Sequence, residues 1–121
     1  MCLNRLKRRH KDLVIARVGE LIDTSFVKQG IIIPAPKIHY RLRGCECAGL
    51  SNFNEWTVDF NPCLLTRYEE EFITETVAHE IAHFVAVTKA KTTAIFMHGQ
   101  EWQQSMRCFG LKPKINHTYE L

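Results

Sequence analysis

This chain of 121 residues is organised around the stretch Thr76-Val77-Ala78-His79-Glu80-Ile81-Ala82-His83-Phe84. Apolar and small residues flank the polar ones, so the stretch is predicted to lie in a buried helix over about residues 66–88. His79 and His83 are four residues apart, which places both imidazoles on one face of a helix. Buried polar side chains need partners, and two imidazoles at this spacing can bind one tetrahedral metal ion.

Glu80 directly follows the first of these histidines. A carboxylate at this position can reach a water molecule beside the metal without binding the metal itself, and can then accept the proton of that water. The alternative is that three polar residues on a helix surface form the pattern by chance, and the apolar flanks argue against it. The motif therefore predicts a zinc hydrolase site.

A catalytic zinc site has a third protein ligand and leaves one coordination position open. His98 and Glu101 are the candidates, 15 and 18 positions beyond His83. Ala86 and Lys89 stand where the metzincin pattern has glycine and histidine, which excludes that class. The chemistry of the residues favours His98 over Glu101 but leaves both open.

Several further stretches accompany the central motif in a definite order. They are His98-Gly99-Gln100-Glu101-Trp102, His117-Thr118-Tyr119-Glu120-Leu121 and, upstream, Pro36-Lys37-Ile38, Ala48-Gly49 and Asn61-Pro62. Together with the motif, this set resembles the SprT-like metallopeptidase family, which includes the DNA–protein crosslink protease Spartan. The resemblance extends over about residues 10–121, which is nearly the whole chain.

The resemblance implies that His98 is the third zinc ligand beside His79 and His83, and that Glu80 is the general base. It implies a zincin-like minimal metalloprotease domain that hydrolyses peptide bonds as a zinc-dependent endopeptidase. It also suggests protein substrates on or near DNA. Many members continue into a cysteine zinc ribbon, so a sequence that stops at Leu121 is expected to be a minimal protease domain without the ribbon.

The chain length and the hydrophobic pattern outside the motif predict one α+β domain over residues 1–121. A first helix is expected over about 4–28 with Gly30 as its stop, and a last helix over about 100–109. With the motif helix, this makes about three helices. Alternating residues around 38–42, and short runs at 48–53 and 56–60, predict a three-stranded antiparallel sheet.

Composition narrows the class of protein. Hydrophobic residues make up 45% and charged residues 24%, which is typical of a globular chain. No apolar run approaches the roughly 20 residues of a membrane span, and no secretory signal is recognisable, so a cytoplasmic protein is expected. The five cysteines form no C-x-x-C pair and are expected to be reduced, with Cys45 and Cys47 as free thiols in a loop.

The net charge of +3 is mildly basic. The densest basic run starts at Arg5 and ends at Lys11, and the His10 within it is interpreted as an ordinary polar residue. Such a run is common on solvated surfaces but also suits a weak contact with DNA phosphates. It motivates a second hypothesis, a non-catalytic DNA-associated binding module that zinc stabilises, to which four further basic residues would contribute: Arg41, Arg43, Lys89 and Lys91.

Other residues near the motif have two interpretations each. His117 could bind substrate or support a ligand, or be structural. Tyr119 could donate to a developing oxyanion, although core packing is the favoured interpretation. Glu75 could orient a ligand imidazole or be exposed, and Trp102 is interpreted as a packing anchor. If the strand over 56–61 lies at the sheet edge, a substrate peptide could add to it as a further strand.

Overall fold

The computed structural model describes residues 5–44 and 46–120. The elements follow the predicted order of a helix, three strands and further helices, which confirms the α+β class. No helix in the described part of the chain is long and apolar enough to cross a membrane. The elements are α1 (Arg8–Gln29), β1 (Lys37–His39), β2 (Gly49–Asn52), β3 (Thr57–Phe60), α2 (Pro62–Arg67), α3 (Glu69–Glu71), a π-helical turn (Phe72–Thr76), α4 (Val77–Ala90) and α5 (Gln100–Cys108).

The first helix starts later than predicted, and the predicted start at residue 4 lies outside the described residues. The backbone N–H of Lys7 donates to Nδ1 of His10 at 3.0 Å, which satisfies one polar group at the helix start. His10 is buried, and its Nε2 lies 3.0 Å from Oε1 of Glu69, so its interpretation as an ordinary polar residue is wrong. Gly30 ends the helix in the left-handed conformation, with φ of 68°, as expected.

The sheet is mixed, so the prediction of a purely antiparallel sheet is wrong. Its strand order is β1-β3-β2. β3 pairs antiparallel with β2 and parallel with β1. The segment between β1 and β2 carries the chain to the far side of the sheet, and β3 then returns between them. Because the strand over 56–61 is therefore central, the hypothesis that a substrate adds to it is wrong too.

The free edge of β2 can be assigned from one hydrogen bond. The N–H of Asn61 donates to the carbonyl of Ala48 at 2.9 Å, just beyond the β2–β3 ladder. Since hydrogen-bonded positions alternate along an antiparallel pair, the backbone groups of Gly49 and Ser51 point away from β3. The Sγ of Cys47 donates to the Gly49 carbonyl at 3.2 Å, in agreement with this direction.

The helical region that carries the motif begins earlier than predicted and is interrupted. Asn61 caps α2, because its Oδ1 accepts hydrogen bonds from the backbone of Cys63 and Leu64 at 3.0 and 3.2 Å. The chain then leaves helical geometry at Tyr68 and passes through α3 and the π-helical turn before α4 begins. Arg17 of α1 donates to the carbonyl of Thr74 within that turn at 2.9 Å, which helps to hold α1 against it.

The helix α4 forms the centre of the core. It is buried along most of its length and contacts α1, α5 and β2. Its position places one face, which carries the motif, next to β2 and the start of α5. The largest fully buried side chains of this core are Phe84 of α4 itself and, from the rest of the chain, Trp102, Phe60, Phe72, Leu21, Leu64 and Leu65.

The cysteines differ in state. Cys63 is disulfide-bonded, which contradicts the expectation of reduced thiols for this residue. Cys47 and Cys108 are free, as expected. Cys45, which was predicted to be a free loop thiol, lies outside the described residues.

Candidate metal centre

Three histidines converge at one end of α4. His79 and His83 project from α4, and His98 lies just before α5. One ring nitrogen of each lies within 4.8 Å of the others, and the Nε2 atoms of His79 and His98 are 3.2 Å apart. Glu101, the other candidate for third ligand, lies in the first turn of α5 and is not part of this group. The geometry therefore brings together the three imidazoles that the family resemblance had selected.

Trp102 holds the third histidine in place. Its ring is fully buried, and its indole N–H donates to the backbone carbonyl of His79 at 3.0 Å. Its centroid lies 4.8 Å from the centroid of His79, 5.7 Å from that of His83 and 4.8 Å from that of His98. The residue that was interpreted as a packing anchor thus contacts all three imidazoles and links α5 to α4.

The electrostatic environment keeps these imidazoles neutral. Burial lowers the pKa of His79 to about 4 and that of His83 to about 3, and the neighbouring histidines add to both shifts. Burial also lowers the pKa of His98. Neutral imidazoles can bind a divalent ion without first losing a proton. Three nitrogen ligands with room for a fourth group suit zinc, so the residues present fit such an ion.

Glu80 lies beside this cluster. Its Oε2 is 3.9 Å from Nε2 of His79, while its Oε1 accepts a hydrogen bond of 2.8 Å from the hydroxyl of Ser51. Burial raises the pKa of Glu80 to about 7, and the Ser51 hydrogen bond opposes that shift. A carboxylate with such a pKa can accept and release a proton near neutral pH. Sequence reasoning missed Ser51, because only the pairing of β2 places it over α4.

Gly49 allows Glu80 to occupy this position. A Cβ atom at residue 49 would lie 2.7 Å from Cγ and 2.9 Å from Oε2 of Glu80, which is closer than real contacts. The requirement is one of space, because the backbone of this glycine does not have a positive φ. The neighbouring pair Ala48-Gly49 was noticed in the sequence, but its contact with Glu80 was not.

A cleft opens over the cluster, and the remaining candidate residues line it. The Nε2–H of His117 donates to the Glu46 carbonyl at 3.0 Å, and its Nδ1 accepts from the Tyr119 backbone at 3.1 Å. The Tyr119 hydroxyl pairs with the Thr76 hydroxyl at 2.9 Å and is largely buried. Glu75 lines the cleft too, and no hydrogen bond joins it to a histidine of the cluster within residues 5–44 and 46–120.

Several basic residues considered for DNA contact have partners within the protein. Arg9 lies 2.8 Å from Glu69, and Arg41 binds Asp59 through two hydrogen bonds of 3.0 and 2.9 Å. Lys89 donates to the side chain of Gln104. The two carboxylates partly neutralise Arg9 and Arg41, whereas the amide of Gln104 orients Lys89 without changing its charge. Charge alone is therefore a weak argument for a nucleic-acid surface.

The fold and the site define an α+β domain with three histidines that could hold a metal ion and a buried carboxylate beside them. The sequence profile of the SprT-like family matches residues 19–119. The chain belongs to the SprT-like family.

Curated relatives agree with this assignment. A protein named Protein SprT from Pseudomonas paraeruginosa is 42% identical over 87 residues, which are 71% of this chain and 52% of that protein. Protein SprT from Pseudomonas putida strain GB-1 is 39% identical over 89 residues, 73% of this chain and 53% of that protein. The chain thus spans about half the length of the curated relatives that it matches. No solved structure matches the chain with significance.

Proposed function

We propose that this protein is a zinc-dependent endopeptidase. The observation that carries the proposal is the combination of three clustered imidazoles with a buried carboxylate, Glu80, that lies beside the cluster without joining it. A structural zinc site is closed by four protein ligands, whereas a catalytic site keeps a position open. The group found within the described residues contains three ligands: His79, His83 and His98.

The roles of the residues follow from their positions. Zinc, when bound, polarises the scissile carbonyl and increases the acidity of the attacking water. Glu80 accepts the proton of that water and later donates it to the leaving amine. Ser51 holds one carboxylate oxygen of Glu80 at 2.8 Å, which leaves the other directed toward His79. The raised pKa of Glu80, about 7, suits a group that must take up and release one proton.

The edge of β2 is the element best suited to orient a substrate. Gly49 and Ser51 direct their backbone groups away from β3. Ser51 hydrogen-bonds to Glu80, and Gly49 lies directly against the Glu80 side chain. An extended peptide that hydrogen-bonds to this edge would present a peptide bond close to the candidate metal site. This replaces the earlier expectation that the strand over 56–61 binds the peptide.

Zinc removal tests the proposal. We expect the purified protein to cleave an unfolded substrate such as β-casein, to lose cleavage on dialysis against a chelator, and to regain it with one equivalent of zinc. The assay should include arms with and without single-stranded DNA, and with free and DNA-crosslinked protein substrates. Zinc binding without cleavage in any arm, together with salt-dependent DNA binding, would favour the non-catalytic DNA-associated module instead.

A second prediction concerns Gly49. In Gly49→Ala, the new methyl group displaces the Glu80 side chain, and we expect kcat/KM to fall by roughly 10²-fold, since misplacement by about 1 Å can have this effect. Gly19→Ala is the matched control, because a Cβ at residue 19 of α1 meets no atom within 4 Å. We expect the control to keep full activity and to gain about 0.5–1 kcal/mol of stability in thermal unfolding. Full activity in Gly49→Ala would contradict the assigned role of Glu80.

A further inference from the structure

The chain after α5 runs as an extended segment, residues 111–120, here called the strap. Its start is attached to the end of α5, where the N–H of Leu111 donates to the carbonyl of Met106 at 3.0 Å. Gly110 makes this exit possible with a φ of 79°. The strap contains no helix or strand, so its position depends on how its far end is held.

The far end is held by Tyr119. Its ring stacks on Tyr68 with a centroid distance of 4.8 Å and lies 6.1 Å from the ring of Phe72. Its hydroxyl pairs with that of Thr76 at 2.9 Å. The hydroxyl of Tyr68 also donates to the Glu120 carbonyl at 2.5 Å and accepts from the Glu120 N–H at 3.0 Å. These contacts tie the strap to the helical region directly before α4.

His117 connects the strap to the opposite side of the cleft. Its ring stacks on that of Tyr119 at 4.9 Å, and its Nε2 lies 3.0 Å from the carbonyl of Glu46, in the segment that leads into β2. The strap and β2 are therefore joined at one end of the cleft, with α4 beneath them.

The middle of the strap lies over the cleft and has few contacts of its own. Lys112, Lys114, Ile115 and Asn116 line the cleft, and Ile115 is 51% exposed. Among residues 112–116, the one backbone–backbone hydrogen bond found within the described chain runs from the Lys114 N–H to the Lys112 carbonyl at 2.8 Å, and the backbone of Lys114 also hydrogen-bonds to the His79 imidazole. The backbone groups of residues 115 and 116 are thus available to a ligand.

We propose that the strap is the second wall of a binding cleft for an extended polypeptide, which lies between residues 114–116 and the free edge of β2, and that Tyr119 is the positioning residue of this wall. The inference rests on the proposed endopeptidase function. The cleft bears acidic side chains as well as lysines, which suits a polypeptide better than the uniformly charged backbone of a nucleic acid. Two apolar side chains at its margin, Met97 and Ile115, are about half exposed and can contact a substrate side chain.

The test measures binding apart from cleavage. In a Glu80→Gln background, fluorescein-labelled β-casein serves as the unfolded polypeptide, and binding is followed by fluorescence anisotropy. Adding Tyr119→Ala should weaken binding roughly tenfold, which corresponds to about 1.4 kcal/mol. Hydrogen exchange over residues 112–120 should become faster. Binding is compared at saturating zinc, because the backbone of Lys114 in the strap hydrogen-bonds to His79, and loss of such support can weaken zinc binding by roughly 10–100-fold.

Two further variants separate positioning from general destabilisation. Tyr40→Ala removes a tyrosine that is partly buried and packs on Phe60 in the core and not on the strap, and this variant should bind casein like its parent. Tyr119→Phe keeps the ring contacts and should restore most of the binding. If Tyr119→Ala does not fold, His117→Ala replaces it. A smaller loss is expected because this change removes the bridge to Glu46, one ring contact and the hydrogen bond from the Tyr119 N–H, but leaves the Tyr119 ring in place.

The possible outcomes are distinguishable. Unchanged binding in Tyr119→Ala, with exchange showing that the strap has loosened, would overturn the role of the strap and leave the endopeptidase proposal intact. An equal loss in Tyr40→Ala would also overturn it. Absence of casein binding and of casein cleavage by proteins that retain zinc would overturn both proposals.

Discussion

Replacing Glu80 by glutamine is expected to reduce peptide hydrolysis by about 10²–10⁴-fold and to leave zinc affinity unchanged. Glutamine has almost the same shape and keeps an oxygen that can accept the Ser51 hydrogen bond, but it cannot take a proton from water. The measurement is kcat/KM on an unfolded protein substrate, with zinc content determined on the same preparation. Undiminished cleavage in a preparation shown by mass spectrometry to contain no wild-type chain would exclude Glu80 as the base.

The same substitution has a consequence for the metal-free protein. Burial raises the pKa of Glu80 from 4.5 to about 7, so its neutral form stabilises the fold fully below pH 4.5, and this contribution is lost as pH rises through 7. Glutamine is neutral throughout. We therefore expect metal-free Glu80→Gln to gain stability over the wild type at pH 8 and to gain little at pH 5, as measured by thermal unfolding. An equal gain in stability at pH 5 and pH 8 would contradict the burial of a titrating carboxyl group at residue 80.

Replacing His98 by alanine is expected to weaken zinc binding by more than the roughly 10–100-fold that loss of a residue supporting a ligand typically causes. The reason is geometric, because the His98 Nε2 lies 3.2 Å from that of His79 and completes the three-nitrogen group. Chelator competition gives the affinity, and cleavage should be lost at limiting zinc.

Glu101→Ala is the matched control for this prediction. Glu101 lies three residues further on, in the first turn of α5, and is not part of the cluster. We expect zinc affinity in Glu101→Ala to match the wild type. The reverse pattern, with loss in Glu101→Ala and retention in His98→Ala, would assign the third ligand to the glutamate.

Features with a local cause were predictable from the sequence. The helical spacing of His79 and His83 depends on the period of the helix alone, and the stop at Gly30 depends on its left-handed conformation. The alternation around residues 38–42 and the short runs at 48–53 and 56–60 likewise marked the approximate positions of the three strands. The bounds were less accurate, since the hydrogen bond from the Lys7 N–H to His10 and the capping of α2 by Asn61 moved the starts of α1 and of the motif's helical region.

Features with a non-local cause were missed. The central position of β3 depends on where the segment after β1 crosses the sheet, and no period along the chain encodes that choice. The burial of His10 depends on its contact with Glu69, 59 positions further along the chain. The chemistry of the residues also left open whether His98 or Glu101 is the third ligand, and the family resemblance selected His98.

The motif in residues 76–84 determined by itself that two imidazoles share a helix face and that a carboxylate adjoins them, because a helix converts sequence spacing directly into geometry. The tertiary structure alone decided what surrounds them. It brought His98 to the other two histidines, placed Ser51 and Gly49 of β2 against Glu80, and laid the strap across the cleft. These contacts join residues that are distant along the chain, and only the packing of α4 between the sheet and α5 creates them.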